Sequence, residues 1–420
     1  MFDKIIFHID VNSAFLSWEA VHRIEHRKGN RDLREFPSAV GGDISKRHGI
    51  ILAKSISAKG FGIKTGDSIP EALQKCPKLY LAPPNYGLYE RCSRAFMEIL
   101  REYSACVEQY SIDEAYVDMT ETVALWGGAV ETAERMREQI YRELGFTVNI
   151  GISENKLLAK MASDFEKPNK VHTLFREEIP RKMWGLPVSD LFFVGRATTK
   201  KLRNLGIRTI GELANGDPEI LRAHLKKHGE VIWAFANGMD VSAVESEPIP
   251  NKGYGNSTTV AFDVTDASTA RLVLLGLAET VGSRMRRDKM KAEVVSVGIK
   301  YDDFTQLSHQ RVLKEPTNIT MELAQRAGQL FEEAWNGKPI RHLGVHAGRV
   351  VDQDVSRQLK LFDNTDYEKL EMMDRTVDQI RRRFGIDSVK RASFVQSPID
   401  HLSGGISREK RTVDYERLGM

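Results

Sequence analysis

The chain has 420 residues, 41% of them hydrophobic, with 61 Lys and Arg against 58 Asp and Glu, a net charge of +3 at pH 7. That length supports three or four domains with their own cores, and the near balance of charge means that a polyanion would be met by local patches rather than a global field. Three scattered cysteines, Cys76, Cys92 and Cys106, offer neither a disulfide framework nor a CxxC zinc spacing; no apolar run reaches membrane length and the charged start of the chain (Asp3, Lys4, His8, Asp10) fits no signal peptide, so a cytoplasmic chain with no membrane partner is expected.

Lys4 to Asp10 alternates, with Ile5, Phe7 and Ile9 on one face, and predicts a half-buried strand that delivers Asp10 at its C-terminal end. Phe15, Trp18, Val21 and Ile24 then fall three apart as a helix stripe. Ser68-Ile69-Pro70-Glu71 opens a short helix as a capping box. Helices are expected at Asn85 to Tyr103 and Ala129 to Leu144, strands at Val107 to Tyr110, Ala115 to Asp118 and Phe146 to Ile152. The order matches a ferredoxin-like β-α-β-β-α-β unit, and it places Asp113 and Glu114 at a hairpin beside the end of the first strand. Three carboxylates at strand ends can hold two Mg²⁺, the arrangement that phosphoryl transfer needs; acidic residues in hairpin turns are also common as solvated turn formers.

Further along, eight Lys or Arg (Arg196, Lys200, Lys201, Arg203, Arg208, Arg222, Lys226, Lys227) face four acids between Gly195 and Glu230, in short helices with glycine turns. Val241 to Pro250 reads as an exposed tether. An α/β unit follows from about Asn251 to Gln353, with a Leu-rich helix running into Arg284-Met285-Arg286-Arg287, strands at Val294 to Lys300, His309 to Leu313 and His342 to Val351, and a second helix from Ile319. Leu370, Met373, Val377, Ile380 and Phe384 make an amphipathic helix before a polar tail. The pairs His22/His26 and His224/His228 lack the Glu of a zinc protease and read as solvated helix faces.

The blocks His8-Ile9-Asp10-Val11-Asn12-Ser13-Ala14-Phe15, Tyr110-Ser111-Ile112-Asp113-Glu114-Ala115-Tyr116-Val117-Asp118 and Asn149-Ile150-Gly151-Ile152-Ser153-Glu154-Asn155-Lys156 resemble the three palm signatures of Y-family translesion DNA polymerases, in order and spacing, over roughly residues 1 to 390. The resemblance implies an α+β, multidomain right hand. A ferredoxin-like palm (1–36 and 77–166) would carry small fingers (37–76), a helical thumb with helix-hairpin-helix elements (167–240) and an α/β little finger (241–355), followed by a tail (356–420). It implies a low-fidelity DNA-directed DNA polymerase acting on primer-template DNA and deoxynucleoside triphosphates as a monomer.

Carried onto this sequence, the resemblance assigns Asp10, Asp113 and Glu114, with the Val11 carbonyl, to two Mg²⁺. Phe15 would be the gate that excludes a 2′-hydroxyl, and Ile56, Lys59 and Lys167 would meet the triphosphate. Ile56 stands where Tyr is common and Lys59 where Arg is common, a point charge for a bidentate fork. Lys156, Lys160, Arg196, Lys200, Arg284, Arg286 and Arg287 would meet DNA backbone. Phe193-Val194-Gly195 stands where Gly-x-Gly is usual in the hairpin. Gln358-Leu359-Lys360-Leu361-Phe362 is similar to the peptide with which bacterial polymerases dock on a sliding clamp, with Gln358, Leu359, Leu361 and Phe362 as contacts. Two other readings fit parts of the sequence: a palm-type nucleotide cyclase, invited by Gly41-Gly42-Asp43, and a catalytically silent scaffold at stalled forks, which the retention of all three carboxylates argues against.

Overall fold

The computed structural model describes residues 4–27, 31–42, 49–247, 250–358 and 365–401. Its contacts divide the chain into two compact units, the first built mainly from residues up to 248 and the second mainly from residues 249 onward.

In the first unit, β1 (Ile6–Val11) runs into α1 (Ala14–Arg27). A small sheet of β2 (Ser38–Gly41), β3 (Ile51–Lys54) and β4 (Tyr80–Ala82), in the order β3-β2-β4, is accompanied by α2 (Ile56–Gly60) and α3 (Ile69–Lys75). The chain continues through α4 (Tyr86–Tyr103), β5 (Val107–Gln109), β6 (Glu114–Asp118), α5 (Ala129–Leu144), β7 (Val148–Ser153), α6 (Lys156–Ser163) and β8 (Val171–Thr173). The main sheet has the order β5-β6-β1-β7-β8. Its first four strands are the ferredoxin-like arrangement expected, with β8 added parallel to β7.

The expectation of a half-buried β1 needs correction, because every residue from Ile6 to Val11 is buried. Phe7, Ile9 and Val11 join the core beneath α1, α4 and α5, while α6 covers the other face, where Ile6, Tyr116 and Ala159 form a second apolar contact. The close approach depends on Gly151: a Cβ there would lie 2.0 Å from the Ala159 carbonyl oxygen and 2.4 Å from the Ser163 nitrogen.

From α6 onward a separate core forms. Leu157, Leu158 and Met161 pack with Ile179, Leu202, Leu213, Leu221 and Ile232 on α7 (Ile179–Lys182), α8 (Arg196–Asn204), α9 (Ile210–Ala214), α10 (Pro218–Leu225) and α11 (Lys227–Ala236). The stretch expected as an exposed tether is exposed over most of residues 241–247, and two contacts tie it to this unit: the Glu245 N–H donates to Glu108 at 2.8 Å, and the Val244 side chain packs beside Ile6, Tyr116 and Ala159.

The second unit contains β9 (Gly253–Val264), α12 (Ala267–Arg287), β10 (Met290–Tyr301), β11 (Gln306–Thr317), α13 (Thr320–Ala334), β12 (Ile340–Asp352) and α14 (Tyr367–Phe384). The antiparallel sheet order is β11-β10-β12-β9, and α12 and α13 bury Leu274, Leu277, Leu323 and Phe331 against it. The amphipathic C-terminal helix is folded back on this unit, held chiefly by charge. Asp374, Asp378 and Arg381 of α14 meet Arg286 and Glu279 of α12, and Phe394 and Ile399 beyond it enter the core.

Candidate active site

Antiparallel pairing sets Asp10 opposite Glu114 as Cα partners at the end of the β1–β6 ladder. The Val11 N–H donates to the Asp113 carbonyl at 3.0 Å, so the turn that carries Asp113 is bonded directly to the end of β1. Glu114 is the first residue of β6, one step past the turn where the sequence had set it. Within the turn, Ser111 Oγ donates to Asp113 Oδ1 at 2.7 Å.

Two ammonium groups neutralise this cluster. Lys167 bonds directly to Asp10 and also lies 2.8 Å from Asp164; Lys160 lies 3.3 Å from Glu114 and 3.6 Å from Asp164. Lys167 thus stands at the carboxylates. Lys160, expected on a DNA-facing surface, is corrected: it is only 8% exposed and turned into the carboxylate cluster. Lys156, four residues earlier, is also drawn inward, 2.7 Å from Glu108 with its ammonium over the Tyr116 ring.

The electrostatics follow from burial. Burial pushes the Asp10 carboxyl above its ordinary value, against the pull of Lys167 and Lys160. Burial would also raise Glu114, yet its contacts with His8 and the Lys160 charge outweigh this and hold it at about 2. The buried His8 imidazole is pushed below its ordinary value. Its Nδ1 lies 2.8 Å from Ser163 Oγ, which itself donates to the Lys160 carbonyl, and its Nε2 faces Glu114 at 3.5 Å.

Three carboxylates and a backbone carbonyl are the hard oxygen donors that suit a divalent ion such as Mg²⁺. That two lysines are needed to balance them marks a surplus of negative charge that such an ion would relieve. Among the described residues these carboxylate oxygens do not all converge within 4.8 Å of one another; Lys167 pairs with Asp10 and Lys160 with Glu114, and the two share Asp164. The donors thus suit a divalent ion in kind, as hard oxygens, without forming a converged ligand set as they stand.

A buried amide network holds the segment bearing Lys167 against the strand ends. Asn149 Nδ2 donates to the carbonyls of Ser163 and Glu166 at 3.1 and 2.7 Å. Asn12 Nδ2 donates to Asn149 Oδ1, while Asn12 Oδ1 accepts from the Asn169 N–H. Sequence reasoning assigned no role to His8, Asn12, Asn149, Ser163 or Asp164. The signal for His8 was present, since period-2 alternation puts it on the face of Asp10; the asparagines carried none.

Phe15, on the first turn of α1, stacks on Tyr89 with ring centroids 4.5 Å apart and planes at 9°, with Trp18 and Tyr86 behind. The ring is half-buried and braced from one side. Ile56 and Lys59 lie on α2, capped by Ser55 Oγ accepting from the Ala58 N–H; Ile56 is 62% exposed and Lys59 is exposed.

The helical region presents Arg196, Lys200, Lys201 and Arg203 as exposed groups on α8. Among the described residues none of them is ion-paired. In the second unit, Arg284 donates to the Gly255 carbonyl at 3.1 Å and Arg287 pairs with Asp288 at 2.9 Å. Arg286, expected to face DNA, is corrected: its side chain is 5% exposed and bound to Asp374 and Asp378. Arg284 and Arg287, three apart, share a helix face, whereas Arg286 points away from it and its side chain is buried. Gln358 is exposed and its N–H donates to Glu315; Leu359, Leu361 and Phe362 lie outside the described residues. No helix among the described residues is long and apolar enough to cross a membrane.

Comparison with known proteins agrees with this geometry. The impB/mucB/samB family matches residues 9–164, its C-terminal domain residues 251–361 and the family's HHH motif residues 176–207. The chain is 42% identical to a DNA polymerase IV of Clostridium acetobutylicum over 94% of its own length and 98% of the relative's. It is 40% identical to a DNA polymerase IV of Acetivibrio thermocellus, with 94% and 98% covered, and 35% identical to DNA polymerase IV 1 of Bacillus subtilis, with 96% and 95% covered. A solved Y-family DNA polymerase chimera shares the fold at a TM-score of 0.70 and 21% identity, covering 83% of this chain and 99% of that one. Neither the cyclase nor the silent-scaffold reading finds support among these relatives. With identity of this level over nearly the full length, the chain belongs to the impB/mucB/samB family, the Y-family DNA polymerases.

Proposed function

We propose that this chain is a DNA-directed DNA polymerase that extends primers past damaged template, with Asp10, Asp113 and Glu114 as its catalytic carboxylates. The observation that carries the reading is the pairing of Asp10 with Glu114 across β1 and β6, with Asp113 bonded beside them through its carbonyl. Asp10, Asp113, Glu114 and the Val11 carbonyl would hold two Mg²⁺. When bound, such ions neutralise a triphosphate, ease ionisation of a primer 3′-hydroxyl and steady the leaving pyrophosphate.

The chain's own residues supply positioning and charge. Lys167 and, from α2, Lys59 would offer cationic partners to the triphosphate oxygens. The Phe15 ring, braced by Tyr89 and Trp18, would close the space that a ribose 2′-hydroxyl needs. Arg196 and Lys200 would hold duplex backbone without reading sequence, and Arg284 and Arg287 would do so from the little finger. Residues 1–36 and 77–166 would be the palm, 37–76 the fingers, 167–240 the thumb and 241–355 the little finger. Gln358, Leu359, Leu361 and Phe362 would dock a sliding clamp.

Primer extension on undamaged and lesion-bearing templates, with and without a chelator, tests the reading. Extension past the lesion in Mg²⁺ and none in chelator is the expected result. Mg²⁺-independent extension, or none on either template, would overturn it.

A further inference from the structure

The hairpin that enters α8 breaks its family pattern at one residue. Phe193 stands where the first glycine of Gly-x-Gly is usual, and it adopts φ +75°. Glycine takes that left-handed conformation freely, whereas a bulky side chain is a rarity there. Burial does not explain the choice. Phe193 is 57% exposed, while Val194 beside it is buried and Phe192 packs against the helical core.

The ring is nevertheless held in place. It stacks along His228 at 6.3 Å and meets Phe235 edge-on at 5.8 Å, so one face is supported and the other is open. Next to the hairpin lies a cavity of about 560 Å³ lined by Gly195, Arg196, Thr199, Lys200 and Arg203. Its three cations are exposed and, among the described residues, unpaired. An open aromatic face beside unpaired cations is complementary to a chain of phosphates and sugars. It has no match in an acidic protein surface of one sign, which would leave the ring without a partner.

We propose that Phe193 is a DNA-contacting residue, its free face packed on a deoxyribose of the strand whose phosphates lie along α8. The contact would be apolar and independent of sequence, giving this thumb a grip in addition to the backbone contact of the hairpin. It rests on the polymerase reading above. Aromatic packing on nucleic acid releases no counterions, whereas each lysine or arginine on a phosphate does. Loss of the ring should therefore shift affinity without altering its salt dependence.

The test is binding of the full chain to a fluorescently labelled primer-template duplex, by anisotropy over a range of NaCl concentrations. Phe193→Gly restores the usual residue and removes the strain, so its melting temperature should match or exceed that of the parent. Its Kd should nevertheless weaken by about fivefold, with the slope of log Kd against log salt unchanged. Phe193→Asn, which tolerates the same backbone conformation without a ring, should behave likewise, and Phe193→Trp should keep parental affinity. Parental Kd for both Phe193→Gly and Phe193→Asn at every salt concentration would overturn the proposal. Arg196→Ala with Lys200→Ala provides the separate control: a flattened slope upholds DNA binding by the thumb whatever Phe193 does, and an unchanged slope and Kd would instead count against the thumb assignment itself.

Discussion

Lys160 stands 3.3 Å from Glu114 in a setting where the lysine is only 8% exposed, so a side chain of α6 completes the charge balance of the strand-end carboxylates. Helix and sheet are thereby linked through the same residues that would hold the metals. Lys160→Met leaves Glu114 without its buried counter-charge and should cost about 2 kcal/mol, below the range for fully buried pairs because Glu114 retains some solvent contact. Urea denaturation of the single and Glu114→Gln double variants measures it. The double variant should lose less than the two single losses combined.

Phe15→Ala should admit ribonucleotides, because removal of the ring opens space on the side away from Tyr89. Incorporation of dCTP and CTP opposite G gives the ratio, which should fall by at least tenfold, about 1.4 kcal/mol in discrimination. An unchanged ratio with lowered stability would return Phe15 to a packing role.

Gly151→Ala introduces a Cβ 2.0 Å from the Ala159 carbonyl oxygen. Neither β7 nor α6 can yield without moving Lys160 and Ser163, so overpacking should cost about 3 kcal/mol or more. Nucleotide addition should fall with it, measurable on the folded fraction below the melting transition.

Arg286→Ala separates two uses of a basic residue. Its guanidinium is buried against Asp374 and Asp378; its loss should strand Asp378, leave Asp374 to Arg391 and the Thr320 N–H, and loosen α14, at about 3 kcal/mol. Limited proteolysis should cut earlier within residues 365–401, while the salt slope of DNA binding stays that of the parent.

The ferredoxin-like unit was legible because its signals are local: alternation in β1, a stripe in α1, and a hairpin between β5 and β6. Asp10, Asp113 and Glu114 followed from their place at strand ends and the family likeness. What stayed hidden was the second layer. Nothing in the period of β1 shows that α6 will cover its other face, because α6 is far from β1 in sequence and approaches through Gly151 of the neighbouring strand. For the same reason Lys156 and Lys160 read as surface cations, and Arg286 read as one of three equivalent arginines. Ionisable groups paired across distant elements look the same in sequence as solvated ones.

In the proposed reaction three carboxylates perform nucleotidyl transfer while DNA is held elsewhere. Single-nucleotide addition by Asp113→Ala in Mg²⁺, measured alongside its affinity for primer-template duplex, tests this most directly. Addition should be abolished with Kd within about twofold of the parent, since phosphate contacts by cationic side chains supply that affinity. Parental extension by Asp113→Ala would contradict the account.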